Sequence, residues 1–209
     1  MHIAITGNIG AGKTTLAEKL ADHYGWEVYY EAVDGNPYLS DFYGDMPKWS
    51  FHLQVFFLNS RFEQVLKIKS NEEKTIIQDR TIYEDAYIFA QNLYETGHLN
   101  ETDFKTYKSL FNTIMNAISP PDLMIYLKAD IPKLHGQILK RGRDYEQNID
   151  LNYLESLNRL YERFTDNYTH GKLIEIDVNH MDFVGNNEDF VAITKEIEKN
   201  VNLGKQLKI

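Results

Sequence analysis

The chain has 209 residues, 43% apolar and 25% charged, a balance that excludes a disordered polymer and fits one domain, residues 1–209, with a sizeable core. A net charge of -9 argues against a nucleic-acid partner, and no apolar run approaches the length that spans a bilayer, which argues against a membrane partner. Without cysteine there is no disulfide framework or thiolate chemistry, the seven scattered histidines lack zinc-ligand spacing, and the absence of a charged-then-apolar leader makes the cytoplasm the expected location.

Residues His2–Thr6 form a short β-branched apolar run, expected as a buried strand. A Gly-rich turn follows, then an amphipathic helix that should end at Gly25. "WEVYYE" reads as a second strand, and residues 37–45, with Pro37, Gly44 and several aspartates, as a loop. A long helix over Lys48–Lys69 is aromatic on more than one side. Lys74–Asp79 is a third strand. Two helices follow, Tyr83–Gly97 and Glu101–Ser119, the second stopped by Pro120 and Pro121. "DLMIYLKA" is a fourth strand, helices flank the basic run Lys140–Arg143, "KLIEID" is a fifth strand, and a polar helix near Glu188–Asn200 closes the chain. Strands alternating with helices specify an α/β fold with a five-stranded parallel sheet.

Gly7, Asn8, Ile9, Gly10, Ala11, Gly12, Lys13 and Thr14 spell GxxxxGK[ST] between a predicted strand and a predicted helix, followed by Thr15. Glycines let the backbone curl so that successive N–H groups face phosphate oxygens, and the helix N-terminus adds its dipole. Lys13 supplies a mobile charge and the Thr14 hydroxyl reaches Mg²⁺. The pattern therefore implies a nucleoside triphosphate, taken as ATP, and magnesium. The fate of the γ-phosphate is left open by it.

Ligands of open α/β sheets bind at the carboxyl ends of the strands. There Asp79 can serve Mg²⁺, which favours hard oxygens, and Arg80 can face phosphate. Glu31 follows the second strand in a stretch without arginine. A dianionic acceptor would want arginines there, whereas a neutral hydroxyl benefits from a carboxylate that takes its proton. On the long helix, Gln54, Phe57, Leu58 and Arg61 share one face, and Asp85 and Phe89 lie one turn apart on the next helix. Such a set could enclose a planar heterocycle. On spacing alone, a core stripe with one structural ion pair describes it better.

"GNIGAGKT", "YYEAV", "PKWSFHLQVFFLNSRF", "QDRTIYEDAYIFAQNLYE" and "KRGRDYEQ" occur in that order over residues 1–168, and the chain so resembles the deoxyribonucleoside kinases. The resemblance implies a P-loop kinase with an arginine-bearing lid that transfers phosphate from ATP to the 5′-hydroxyl of a small deoxynucleoside. By it, Glu31 is the general base and Arg80 its phosphate-side partner. Tyr43 and Glu146 hold the sugar 3′-hydroxyl. Gln54 reads the base within a pocket that includes Phe57, Arg61 and Asp85, Phe89 stacks on the base, and Arg141 and Arg143 close on the transferring phosphate. Asp79-Arg80-Thr81 stands where animal relatives have Glu-Arg-Ser, Ala32 where many have proline, and Gln137 where animal enzymes often carry another arginine. "DGNPYL" resembles the bacterial purine-preferring branch, and Arg61 with Asp85 the purine and deoxycytidine kinases. Deoxyadenosine is the expected substrate, with deoxyguanosine or deoxycytidine next. Family resemblance also implies a homodimer through the long helices. A thymidylate-type nucleotide kinase, or a nucleotide-dependent switch without a small acceptor, is the alternative. The tail after Val178 carries no motif.

Overall fold

The computed structural model describes residues 1–31, 35–71, 73–143, 146 and 149–201. Ala32, part of the "DGNPYL" stretch, Asp144, Tyr145 and Gln147 of the basic motif, and the last residues of the tail lie outside the described residues.

Strands β1 (His2–Gly7), β2 (Glu27–Tyr29), β3 (Ile76–Asp79), β4 (Leu123–Lys128) and β5 (Leu173–Asp177) form a sheet in the order β2-β3-β1-β4-β5. Every pairing is parallel. Side chains alternate across the sheet, so the interior strand β4 feeds two cores. On one face Ile3, Ile5, Leu123, Ile125 and Leu127 pack against helices α1 (Lys13–Tyr24) and α9 (Asn187–Asn200). On the other, Met124 and Tyr126 join a cluster built from α3 (Met46–Lys69), α6 (Glu101–Met115) and α8 (Leu151–Asp166). Both faces are covered, which is why these strands read as continuous apolar runs.

Four elements differ from the sequence reading. Residues 37–45, expected as loop, contain helix α2 (Leu39–Gly44). Its Phe42 is buried with Leu53, Leu93 and Leu99 in a third apolar cluster, so tertiary packing stabilises six residues that propensity alone would leave irregular. Strand β2 stops at Tyr29, which places Glu31 beyond its end rather than within it. Helix α6 ends at Met115, before the two prolines are reached. The helix expected over residues 83–97 begins as α4 (Ile82–Glu84), passes through a π turn at Asp85–Phe89 and continues as α5 (Ala90–Glu95). Helix α7 (Ile131–Arg141) ends at Gly142 in the left-handed conformation, as a helix before a Gly commonly does.

The turn between β1 and α1 sits directly against α7. Gly10 has φ +86, and a Cβ there would lie 2.6 Å from the Leu134 carbonyl oxygen and 3.0 Å from Ile138 Cγ1. Gly10→Ala should therefore destabilise the fold by about 2–4 kcal/mol, from left-handed strain plus overpacking. Urea unfolding measures it, and an unchanged midpoint would show that α7 yields freely.

Candidate active site

A crevice of about 630 Å³ opens at the carboxyl ends of β1, β2 and β3. Strand β1 has neighbours on both sides, β3 and β4, so the loop leaving it faces the gap where connections diverge. That loop carries Gly10 and Gly12 at positive φ, and Lys13 opens α1. Lys13 Nζ donates to the carbonyls of Gly7 at 2.8 Å and Asn8 at 3.0 Å, which leaves one of its three donors. Burial pulls the Lys13 ammonium down to about 8, and the nearby Arg80 charge adds to this against several carboxylates. An arriving polyanion would restore it. Asn8 Nδ2 donates to the Leu154 carbonyl and to Asn158 Oδ1, which ties the loop to α8.

Thr14 Oγ1 donates to Asp79 Oδ2 at 2.5 Å, while Asp79 Oδ1 is buried without a partner. A hydroxyl beside a carboxylate with a spare oxygen, opposite a phosphate loop, is a hard-oxygen set that fits Mg²⁺. Burial raises the Asp79 pKa, an effect a cation would reverse.

Glu31 is the electrostatic centre. Its Oε1 lies 3.0 Å from Arg61 Nη2 and 2.8 Å from Arg80 Nε. The Arg61 contact is a hydrogen bond, whereas the Arg80 Nε–H is not aligned on the oxygen. Burial pushes the carboxyl up, but Arg80, Arg61 and Lys13 outweigh it and hold Glu31 at about 2. Gln64, one turn after Arg61 on α3, donates to the Tyr30 carbonyl at 2.7 Å and accepts from Gln78 Nε2 at 3.1 Å. The long helix thus grips both the Glu31 side chain and the backbone before it.

Arg80 is the one non-glycine residue with positive φ, +72, among the described residues. Its Nη1 donates to Tyr161 Oη at 3.2 Å and to Glu84 Oε1 at 3.5 Å, and its guanidinium carbon lies 4.6 Å over the Phe89 ring.

Sequence reasoning placed Glu31, Tyr43, Gln54, Phe57, Arg80, Asp85, Phe89, Arg141, Arg143 and Glu146 in one site, and all of them line the crevice with Lys13, Thr14, Thr15 and Asp79. Gly10, Gly12 and Ile9 line it too. Arg61 differs. It is 1% exposed, stands behind the wall, and divides itself between Glu31 and Asp85, with its Nε 3.4 Å from Asp85 Oδ2. The expected Arg61–Asp85 pair is therefore the longer half of a bridge. Burial raises Asp85 to about 7 against the pull of Arg61 and Arg80, so near neutrality this carboxyl can donate or accept. Gln54 Oε1 and Asp85 Oδ2 are buried without hydrogen-bond partners among the described residues. Glu146 holds both Arg141 and Arg143.

Sequence reasoning missed Glu84, Tyr153, Gln64 and Tyr161. Thr81 and Glu84 form a capping box, whose T-x-x-E spacing is legible in the sequence. Tyr153, on α8, lines the crevice and its spacing signals nothing beyond a helix face. The tail also returns to the site, since Phe183 Cζ sits 2.9 Å from where a Cβ on Gly12 would be.

A family model described as deoxynucleoside kinase matches residues 3–202. The chain is 35% identical to a deoxyadenosine/deoxycytidine kinase of Bacillus subtilis, over 93% of this chain and 90% of that protein. It is 36% identical to a deoxyadenosine kinase of Lactobacillus acidophilus, over 95% of each. Among solved structures it is similar to a deoxyadenosine kinase from M. mycoides with the products dCMP and a flexible dCDP bound, with TM-score 0.84 and 32% identity, covering 95% of this chain and all of that one.

A folded-state pKa of about 2 for Glu31 lies below its ordinary 4.5. Its ionic contribution to stability is therefore present above about pH 4.5 and lost as the pH falls through 2. The stability gap between the wild-type chain and Glu31→Gln should be widest near pH 6 and close toward pH 2. Denaturant unfolding across that range measures it, and a gap independent of pH would contradict the pairing with Arg61 and Arg80.

Proposed function

We propose, from the premise that this chain belongs to the deoxynucleoside kinase family, that Glu31 takes the 5′-hydroxyl proton of deoxyadenosine while a phosphoryl group passes to that oxygen from ATP. Phosphorylation of a deoxynucleoside at its 5′-position is the family's reaction, and a thymidylate-type nucleotide kinase is not favoured. The observation that carries the residue assignment is the crevice itself. Glu31 lines it together with the phosphate loop and with Gln54 and Asp85, with no arginine of its own segment to receive an anionic acceptor.

In this reading each residue acts by charge and position. The loop from Gly7 to Thr15 cradles the donor phosphates, and Lys13 and Arg80 stabilise charge on the transferring phosphoryl. Arg141 and Arg143, held by Glu146 and more than a third exposed, are free to swing onto that charge when Glu146 takes the sugar 3′-hydroxyl with Tyr43. Thr14 and Asp79 would hold Mg²⁺, which would neutralise phosphate charge. Arg61 acts from behind, orienting Glu31 and Asp85.

Base preference follows from the acceptors left open. A buried acceptor without a donor costs about 1–3 kcal/mol, so Gln54 Oε1, which has no hydrogen-bond donor among the described residues, calls for an N–H group from the ligand, and Asp85 Oδ2, ion-paired with Arg61 Nε at 3.4 Å but not hydrogen-bonded to it, can accept another. Adenine, cytosine and guanine can offer the two N–H groups of an exocyclic amine to this pair of acceptors, whereas thymine offers only its single ring N3–H. Phe89, on the same π turn as Asp85, offers the ring face. Deoxyadenosine comes first because the relatives named above include deoxyadenosine kinases. The proposal extends to a cytoplasmic homodimer. Its support is the outer side of α3, where Phe56 and Phe62 are half-buried and Leu66 is 44% exposed in the single chain.

A screen with γ-labelled ATP and magnesium over the four deoxynucleosides should give labelled monophosphate with deoxyadenosine first and thymidine last. Labelled product from thymidine above all others would overturn the base assignment. Glu31→Gln should lower kcat by about 100-fold or more while deoxyadenosine affinity changes little. Near-normal turnover in that variant would remove Glu31 from the role of base.

A further inference from the structure

We propose that Glu84 and Tyr161 are positioning residues for phosphoryl transfer, fixing the Arg80 guanidinium in the attitude from which it meets Glu31. The inference rests on the reading of Arg80 given under Proposed function.

Glu84 is fully buried and does not line the crevice. A capping glutamate needs one oxygen. That oxygen, Oε2, accepts from the Thr81 N–H at 2.6 Å, and the Thr81 hydroxyl accepts from the Glu84 N–H in return. The other oxygen is what sets this residue apart. Oε1 accepts from Tyr161 Oη at 2.8 Å, from the Gly7 N–H at 3.4 Å and from Arg80 Nη1 at 3.5 Å. One carboxylate thereby joins the first glycine of the phosphate loop, the arginine after β3 and helix α8.

Tyr161 completes the seat. Its hydroxyl donates to Glu84 and accepts from Arg80 Nη1 at 3.2 Å. Its ring is fixed by stacking on Tyr126, centroids 5.9 Å apart and planes 13° apart. Both side chains sit among the apolar residues of α3, α6 and α8, where polar groups are costly unless fully partnered. A core needing only volume would be served by apolar residues.

The backbone gives an independent reason. Arg80 holds φ +72, a conformation that an L-residue keeps only when its surroundings over-determine it. The Thr81 N–H, directly after Arg80, is the group that Glu84 Oε2 anchors. Glu84 therefore fixes the peptide that follows the strained residue and one end of the same side chain. With Nη1 held from that side and the Phe89 ring beneath, Nε is presented to Glu31.

The test is a double-mutant cycle read by single-turnover transfer from MgATP to deoxyadenosine. Tyr161→Phe keeps the ring packing and removes only the hydroxyl. It should lower the transfer rate by about 10- to 100-fold with the KM for deoxyadenosine within about twofold. On an Arg80→Ala background it should cause no further loss, because its route to the chemistry is gone. Glu84→Gln should behave likewise, since its amide must set a donor against the donors of Thr81 or Arg80. Equal losses on both backgrounds, or a normal rate in Tyr161→Phe, would overturn the proposal while leaving Arg80 in place. A normal rate in Arg80→Ala alone would remove the role of Arg80 and the positioning proposal together.

Discussion

Crowding of like charge governs this site. Lys13, Arg61 and Arg80 are each at most 7% exposed; Lys13 and Arg80 line one crevice and Arg61 stands behind its wall. Buried cations repel one another more than they would in water, and the depressed Lys13 ammonium registers that cost beside its own burial. Glu31 makes the arrangement tolerable by pairing with two guanidinium groups at one oxygen. Asp79, Glu84 and Asp85 supply further negative charge at the rear. The cations are therefore gathered in advance of the phosphate that will use them, and little reorganisation is left for the reaction step.

The same balance bears on how a carboxyl held near pKa 2 can act as a base. Its acidity is imposed by neighbours and opposed by burial, so it is not intrinsic to the position. When a polyphosphate enters beside Lys13 and Arg80, their charge is shared with a stronger anion. The attraction on Glu31 weakens while its burial remains, and both changes raise its proton affinity. In the proposed role of Glu31 as base, basicity would develop only in the complex where a hydroxyl is present to lose a proton. Arg61 does not line the crevice, and its hydrogen bond to Glu31 orients the carboxylate from behind.

Local signals in the sequence were sufficient for the phosphate loop and the five strands. GxxxxGK[ST] is a spacing rule, and β-branched apolar runs mark strands covered on both faces. What sequence reasoning missed was non-local. Helix α2 forms because Phe42 finds Leu53, Leu93 and Leu99, while Pro37, Gly44 and the nearby aspartates argued for a loop. The π turn at Asp85–Phe89 is a choice of hydrogen-bond partner, i to i+5, and the apolar spacing did not reveal it. Helical spacing put Arg61 near Asp85 correctly, yet its shorter contact comes from Glu31, thirty residues earlier. The tail gave no motif because its contact with the loop is one of shape, Phe183 lying where Gly12 has no side chain.

Specificity and catalysis are coupled through Arg61. It bridges Glu31 and Asp85, the residues assigned above to the reacting end and the base-reading end, so the ionisation of either carboxyl is felt by the other. A base whose amino group donates to Asp85 favours its charged form. That draws Arg61 toward Asp85 and relieves part of its hold on Glu31. A base that brings an acceptor instead favours the protonated form of Asp85 and returns Arg61 to Glu31, which keeps Glu31 acidic. On that proposed assignment, discrimination between bases would fall on the transfer step as well as on binding, which is where selectivity accelerates the right reaction rather than only retaining the right ligand.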